Sequence, residues 1–326
     1  MMGVLAIDKP AGKSSRGVVN HVQRAFRPKK IKLGHTGTLD PLATGVLLIA
    51  VGQATRLTEF SHLGSKEYIG TFELGKTSDT LDIEGELQPV ECPELNLEQL
   101  ESACQQFQGT IEQVPPKYSA IHIDGRRAYD LAREGKDFDV PKRQVTIHSL
   151  AVESLQFPIM KLRIACSTGT YIRTLGSDIA KALGTDAVMT ELVRSRVGAI
   201  SLEQCIELES VQTESDVQNA LLSPLTLLDE LPQCTLSDKG AGLIRNGIAV
   251  GSSHFENPPK GKAERRRNNA DLAGSQNRWV AVNSSGKLVA ILKPAAQETY
   301  RSVRVFQNTN ETAQPSSTNT RQSPES

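Results

Sequence analysis

The sequence predicts an α+β protein in two parts, a large domain over residues 1–231 and a small β-rich module over 233–306. Three observations predict it. At 326 residues the chain exceeds what one small core organises. Segments that alternate with period two, such as Lys66 to Leu74, are interleaved with segments of helical spacing, such as Leu97, Leu100, Cys104 and Phe107. The third is a boundary at Leu231-Pro232, where a Leu-rich acidic stretch gives way to short strand-like runs.

Val4 to Ile7 reads as a short buried strand stopped by Lys9-Pro10-Ala11-Gly12. Ser14 or Ser15 caps a helix with Val18, Val19, Val22 and Phe26 on one side, and Pro28 ends it. Val46 to Val51 is a buried strand and Lys66 to Leu74 a second one. Asn96 caps the helix that starts at Leu97, and Gly109 follows it. Gln113 to Ala120 is extended, followed by Ile121 to Ile123, a turn at Asp124-Gly125 and a short helix through Tyr129, Leu131 and Arg133. Tyr118 and Arg126 in this region suit either a nucleic-acid contact or ordinary packing. Val145 to Leu155 and Ile159 to Ala165 pair across a turn near Pro158.

Cys166 to Arg173 passes from strand into a helix whose apolar side is Ile172, Leu175, Ile179 and Leu183, with Ser167 or Thr168 as cap. Tyr171 and Arg173 then fall in the first turn, either presented to a site or serving as a packed ring and a surface charge. Ala187 to Leu192 continues as helix or loop before a run from Val197 to Leu202, and Glu203 to Leu231 reads as closing helices. In the module, Leu236 to Arg245 is helical and Gly247 to Gly251 extended; Trp279 to Val282 and Leu288 to Leu292 form a hairpin about Ser285-Gly286. Residues 252–277 are a polar, basic insert, and 307–326 a Ser/Thr/Asn/Gln/Pro tail expected to be disordered.

Charge sums to zero but is unevenly spread. Residues 1–60 hold nine Lys/Arg against three Asp/Glu, Glu67 to Glu101 hold ten acids and one base, and Asp238 to Arg304 hold twelve bases against five acids. Two basic regions either build an electropositive face for a polyanion or are solvated surface. Arg24, Arg27, Lys29, Lys30 and Lys32 run directly into the Gly-rich loop described next, a position that favours phosphate contact. Five scattered cysteines without a Cys-x-x-Cys pair, and histidines without ligand spacing, predict neither a metal site nor a disulfide framework. The longest apolar run, Val46 to Val51, is too short for a bilayer, and no signal-peptide pattern follows the N-terminus, so a cytoplasmic location is expected.

The stretch Gly34-His35-Thr36-Gly37-Thr38-Leu39-Asp40-Pro41-Leu42-Ala43-Thr44-Gly45 carries one carboxylate, Asp40, amid glycines and short polar side chains. Pro41 biases Asp40 away from helical geometry, toward a rigid loop entering a strand. Such a loop is either a site or a plain turn before a buried strand.

Residues 2 to 231 resemble the bacterial tRNA pseudouridine-55 synthases, the TruB family, which isomerise a uridine in the T-loop of tRNA. The resemblance rests on Gly34 to Leu47, on Lys66-Glu67-Tyr68 with Leu74-Gly75 and Thr80-Leu81-Asp82, and on Gly169-Thr170-Tyr171-Ile172-Arg173. Pro115-Pro116-Lys117-Tyr118-Ser119-Ala120 is also similar, with His122 where the family has lysine. Leu192-Val193-Arg194 departs from the family's Leu-Arg-Arg. More loosely, Thr235 to Val305 resembles a PUA domain, an RNA-binding module.

The resemblance implies a mixed, largely antiparallel sheet of the pseudouridine-synthase type with flanking helices. It implies Asp40 as the catalytic aspartate and His35 as an RNA contact that helps splay the target nucleotide. Tyr68 would stack on the flipped base, Tyr171 and Leu192 would line the pocket, and Arg173 would pair with the aspartate. It further implies a monomer acting on the tRNA T-arm without cofactor or obligatory protein partner. A guide-RNA-dependent synthase and a tRNA-folding or binding protein on the same scaffold are the competing expectations. Intact Asp40, Tyr68 and Arg173 weigh against an inactive scaffold, and only the Arg265 to Arg267 stretch suggests a guide-dependent relative's basic extensions.

Overall fold

The structure, a computed structural model, describes residues 1–61, 64–119, 121–123, 125–259 and 277–307. The expected turn residue Asp124, most of the basic insert (260–276) and the tail from 308 lie outside the described residues. The chain divides into two compact units, one built on Met1–Pro232 and the other on Gln233–Pro259 with the chain from Trp279 onward.

The first unit is a ten-stranded mixed sheet with helices packed against it. It begins with β1 (Met2–Lys9), α1 (Ser15–Arg24), β2 (Leu33–His35), β3 (Thr44–Gly52) and β4 (Lys66–Leu74). A small ribbon, β5 (Lys76–Thr77) with β6 (Gln88–Pro89), leads to α2 (Leu97–Gln105) and β7 (Gly109–Gln113). A second ribbon, β8 (His122–Ile123) with β9 (Arg126–Arg127), precedes α3 (Ala128–Arg133). The long hairpin β10 (Arg143–Gln156) and β11 (Ile159–Cys166) is followed by α4 (Ile172–Ala182), β12 (Ala187–Val197), β13 (Ile200–Ser201), β14 (Ile206–Glu207) and α5 (Glu214–Asn219). The strand order is β14-β1-β3-β12-β4-β11-β10-β7, with β2 on β3 and β13 on β12. All neighbours are antiparallel except β1 with β14 and β3 with β12.

Local chemistry explains most boundaries. The Ser14 side chain accepts the Gly17 N–H at the start of α1, and Asn96 with Gln99 forms a capping box on α2. In β4 residues alternate buried and half-buried along its length, so Lys66, Tyr68, Gly70, Phe72 and Leu74 share the inner face. The Phe72 ring occupies the space a side chain on Gly176 would need, so α4 lies close to β4 only because residue 176 has none. That close approach carries Arg173, one turn earlier, over the sheet.

Three expectations are corrected. Ala187 to Leu192 is neither helix nor loop: it is the first half of β12, held against β4 from Ala187–Leu74 to Val197–Lys66. Glu203 to Leu231 is not a set of closing helices: it holds only one short α-helix among 3-10 turns and the two-residue β14. Helix α4 is not capped by Ser167 or Thr168 but starts after Tyr171 without a side-chain cap; Ser167 Oγ instead accepts the Thr146 N–H at 2.9 Å, spending its acceptor on the neighbouring strand.

The second unit is a five-stranded sheet, in the order β16 (Phe255–Asn257), β15 (Gln233–Leu236), β17 (Trp279–Val282), β18 (Leu288–Pro294), β19 (Tyr300–Val305), with α6 (Asp238–Arg245). Strands β17 and β18 are buried nearly throughout, and Trp279 and Phe255 both meet the Tyr300 ring edge-on, at 5.5 and 5.6 Å between centroids. The chain is an α+β fold with a large mixed sheet and a β-rich C-terminal part.

Candidate active site

The loop between β2 and β3 holds Asp40, and it is pinned on both sides of that residue. Ser15 Oγ donates to the Leu39 carbonyl at 2.9 Å and accepts the Leu39 N–H at 2.8 Å. The Pro41 carbonyl accepts from Gly12 N at 2.8 Å and from the Lys9 ammonium at 3.1 Å. Lys9 is fully buried and also donates to the carbonyls of Pro10 and Lys13, so one cation ties the turn over residues 10–13 to the loop at Pro41. Burial brings its pKa down to about 8, with the Asp40 charge opposing that shift. At the end of the loop Gly45 has φ +96°, and a side chain there would collide with the Arg194 backbone. Asp40 itself keeps about a third of its side chain exposed, as a carboxylate that must meet a substrate requires.

Arg173, in the first turn of α4, reaches Asp40 through Nε at 3.1 Å. Its terminal nitrogens contact Asp82 Oδ2 at 3.2 Å, the Thr80 carbonyl at 2.6 Å and the Tyr118 carbonyl at 3.1 Å. Four contacts spread over all three nitrogens hold the planar, nearly buried guanidinium in place, which fixes where Asp40 points. Asp82 is the more deeply buried partner, with 3% of its side chain exposed. Thr80 Oγ1 and the Glu84 N–H both donate to its Oδ1, at 2.6 and 3.0 Å. Its loop is tied to β12 by Met189 N to Leu81 O and Ile83 N to Met189 O. Asp82 has no assigned role in the sequence analysis. The available signal is that both carboxylates end the same tripeptide, Thr38-Leu39-Asp40 and Thr80-Leu81-Asp82.

Tyr68 and Leu192 lie on neighbouring strands. Tyr68 stands opposite Arg194 and Leu192 opposite Gly70 in the β4–β12 register, and both side chains are nearly buried. Burial raises the Tyr68 pKa, while the nearby Arg194 guanidinium acts against that rise. Arg194 grips the aspartate loop: Nε donates to Val46 O at 2.7 Å, and the two terminal nitrogens donate to Thr38 O and Gly37 O at 3.3 Å each. Lys66, two residues before Tyr68 on the same face, approaches Gly37 and is brought down to about 8 by burial and then by Arg194.

Tyr171 sits at the α4 N-cap, its backbone N–H and carbonyl both held by the buried Gln113 side chain, at 2.8 and 3.0 Å. The Arg143 guanidinium lies 5.0 Å from the centre of its ring. His35, at the end of β2, has a buried Nδ1 without a hydrogen-bond partner among the described residues, and its pKa is lowered by burial, then by Arg194 and Arg16. The structure thus joins Asp40 to Arg173 directly and Tyr68 to the same loop through Arg194. Among the described residues no helix is long and apolar enough to span a membrane, and no three His, Cys, Asp or Glu side chains gather as metal ligands would.

Comparison with known proteins gives one consistent result. Residues 23–172 match the TruB family pseudouridylate synthase N-terminal domain, and residues 173–229 the tRNA pseudouridylate synthase B C-terminal domain. The chain is 35% identical over 335 residues to the tRNA pseudouridine synthase B of Rhodopirellula baltica, covering 94% of this chain and 95% of that protein. It is 38% identical over 297 residues to the protein of the same name in Syntrophus aciditrophicus, covering 90% and 91% of the two chains. Among solved structures, a Cbf5-Nop10-Gar1 complex aligns with TM-score 0.69 at 23% identity, over 94% of this chain and 84% of that one. At that identity the likeness speaks for the fold.

Proposed function

Since this chain belongs to the TruB family of pseudouridylate synthases, we propose that it converts a uridine in the T-loop of tRNA to pseudouridine, with Asp40 as the catalytic carboxylate. The observation that carries the reading is Asp40 on a loop pinned at both neighbours and aimed by a nearly buried Arg173. The reaction is an isomerisation: the bond from N1 of uracil to C1′ of the ribose breaks, the base turns, C5 bonds to C1′, C5 loses its proton and N1 gains one. Atoms and electrons balance without a cofactor. A single positioned carboxylate serves this chemistry by attack at C1′, by removing the C2′ proton, or by stabilising a cationic sugar. Each route requires the fixed aim that Arg173 and the Ser15 and Lys9 contacts supply.

A uridine within a folded T-loop must leave its stack to be reached, and an aromatic face offsets part of the lost stacking. Tyr68 is assigned that role, with Tyr171 and Leu192 as pocket walls and His35 as the group that helps hold the nucleotide out. Residues 233–306 are assigned to the tRNA backbone as a PUA-like module, and 1–231 to the chemistry. The enzyme is expected to work as a cytoplasmic monomer.

Asp40→Asn tests the assignment. Asn keeps the size and turn preference of Asp, so the loop and tRNA binding survive while charge and basicity are lost. Tritium release from C5-labelled uridine in an unmodified tRNA, with this protein alone, is expected for the wild type and absent for Asn at unchanged filter-binding affinity. Release by the Asn variant near the wild-type rate would sink the role of Asp40. No release by the wild type alone would favour a guide-dependent or purely RNA-binding protein.

A further inference from the structure

Among the described residues Arg194 is the largest fully buried side chain, with 1% exposed, and it has no carboxylate within ion-pair distance. Burying a guanidinium without a counter-charge costs free energy that an apolar residue of similar volume would not. Stability therefore does not explain its presence in the middle of a sheet. What it touches does: its three donated hydrogen bonds end on Gly37, Thr38 and Val46, carbonyls that flank Asp40 before and after in sequence. On the adjacent strand its register partner is Tyr68, and the guanidinium stands near enough to the phenol to act against the rise in its pKa. One rigid planar group thus touches both the loop that carries the carboxylate and the ring assigned to the base.

We propose that Arg194 is a positioning residue that couples the Tyr68 hydroxyl to the Asp40 loop, fixing the ring and the carboxylate relative to each other. The inference rests on the reading of Tyr68 as the base-stacking residue. Arg suits this position because a planar fork serves several fixed acceptors at once, whereas the lysine ammonium at Lys66, on the same face, is a point charge on a flexible stem. With the guanidinium as donor and the phenol oxygen as acceptor, the phenol proton is left free to turn toward the pocket.

A double-mutant cycle tests the coupling. Arg194→Lys keeps the charge and loses the fork. In the Tyr68 background the single-turnover rate of isomerisation is expected to fall roughly tenfold or more, while the tRNA dissociation constant changes less than about twofold. In the Tyr68→Phe background, where the hydroxyl is already gone, the same substitution is expected to cost less than about threefold. An equal fall in both backgrounds would overturn the inference and leave Arg194 as a brace of the loop alone; an unchanged rate in the first would overturn it outright. Should the Lys variant not fold, as judged by thermal unfolding, Arg194→Met is read in the same cycle against the same criteria. Tyr68→Phe alone turning over at the wild-type rate would remove the hydroxyl from the site and the coupling with it. That outcome is distinct from a failure of the Asp40 assignment, which Asp40→Asn reports separately.

Discussion

Arg173→Met removes four contacts at once, and the structure predicts how the loss divides. Asp40 is about a third exposed, so water compensates much of its lost partner. Asp82 is 3% exposed and among the described residues retains only Thr80 Oγ1 and the Glu84 N–H, so it becomes a buried carboxylate without a cation. Removing one member of a buried pair costs about 3–5 kcal/mol, and nearly all of it here belongs to Asp82. Urea unfolding near neutral pH is expected to show a loss of that order. Adding Asp82→Asn to Arg173→Met removes the stranded charge and is expected to recover about half of the loss, on the order of 2 kcal/mol. Activity does not follow stability: Asp40 remains unaimed in both variants, and single-turnover isomerisation stays down by about 100-fold or more. A double variant no more stable than Arg173→Met would refute the argument that Asp82 depends on Arg173 for its burial.

Two further outcomes follow from the same geometry. Ser15→Ala leaves the Leu39 N–H and carbonyl without their partner in a buried setting, and is expected to lower unfolding free energy by about 1–3 kcal/mol in urea melts, with slower isomerisation at unchanged tRNA affinity. Lys66→Met removes a buried cation whose pKa falls from 10.5 to about 8, a shift worth on the order of 3 kcal/mol. Because the folded form loses the proton more readily than the unfolded one, that penalty is full below about pH 8 and fades as pH rises toward 10.5. The Met variant should be the more stable protein at pH 7 by equilibrium unfolding, with the advantage gone near pH 10.5; a constant difference across that range would contradict the burial of a charged Lys66.

The parts of the site that were legible in the sequence are those whose reason is local. Pro41 and the glycines around Asp40 describe a rigid loop by themselves, and period two marks the inner face of β4 without further help. Strand β12 escaped because its alternation is broken: register shifts between Met189 and Glu191 and between Arg194 and Arg196 turn successive side chains off the expected face. Asp82 lies among ten acids between Glu67 and Glu101, where only the tripeptide it shares with Asp40 marks the one carboxylate that ends up buried. Lys9 looked like a strand terminator, and its three carbonyl partners become visible only when β1 and the Pro41 turn are brought together. Arg194 is the same case, a charge whose acceptors lie elsewhere in the chain.

The parallel joint between β3 and β12 has a consequence in time. It comprises two register pairs, Val193 with Thr44 and Arg194 with Gly45, and the Arg194 bond to Val46 beside it closes a separation of 148 residues. On one side of the joint lie β1, β3 and Asp40; on the other lie β4, β11, the helix bearing Arg173, and Tyr68. Hairpins such as β10–β11 assemble from neighbours in sequence, but closure over so long a segment carries a larger entropic cost and is slow. During refolding, secondary structure therefore returns before catalysis does. On the ribosome, the contacts that join the Asp40 loop to β12 form only after residue 194 has emerged.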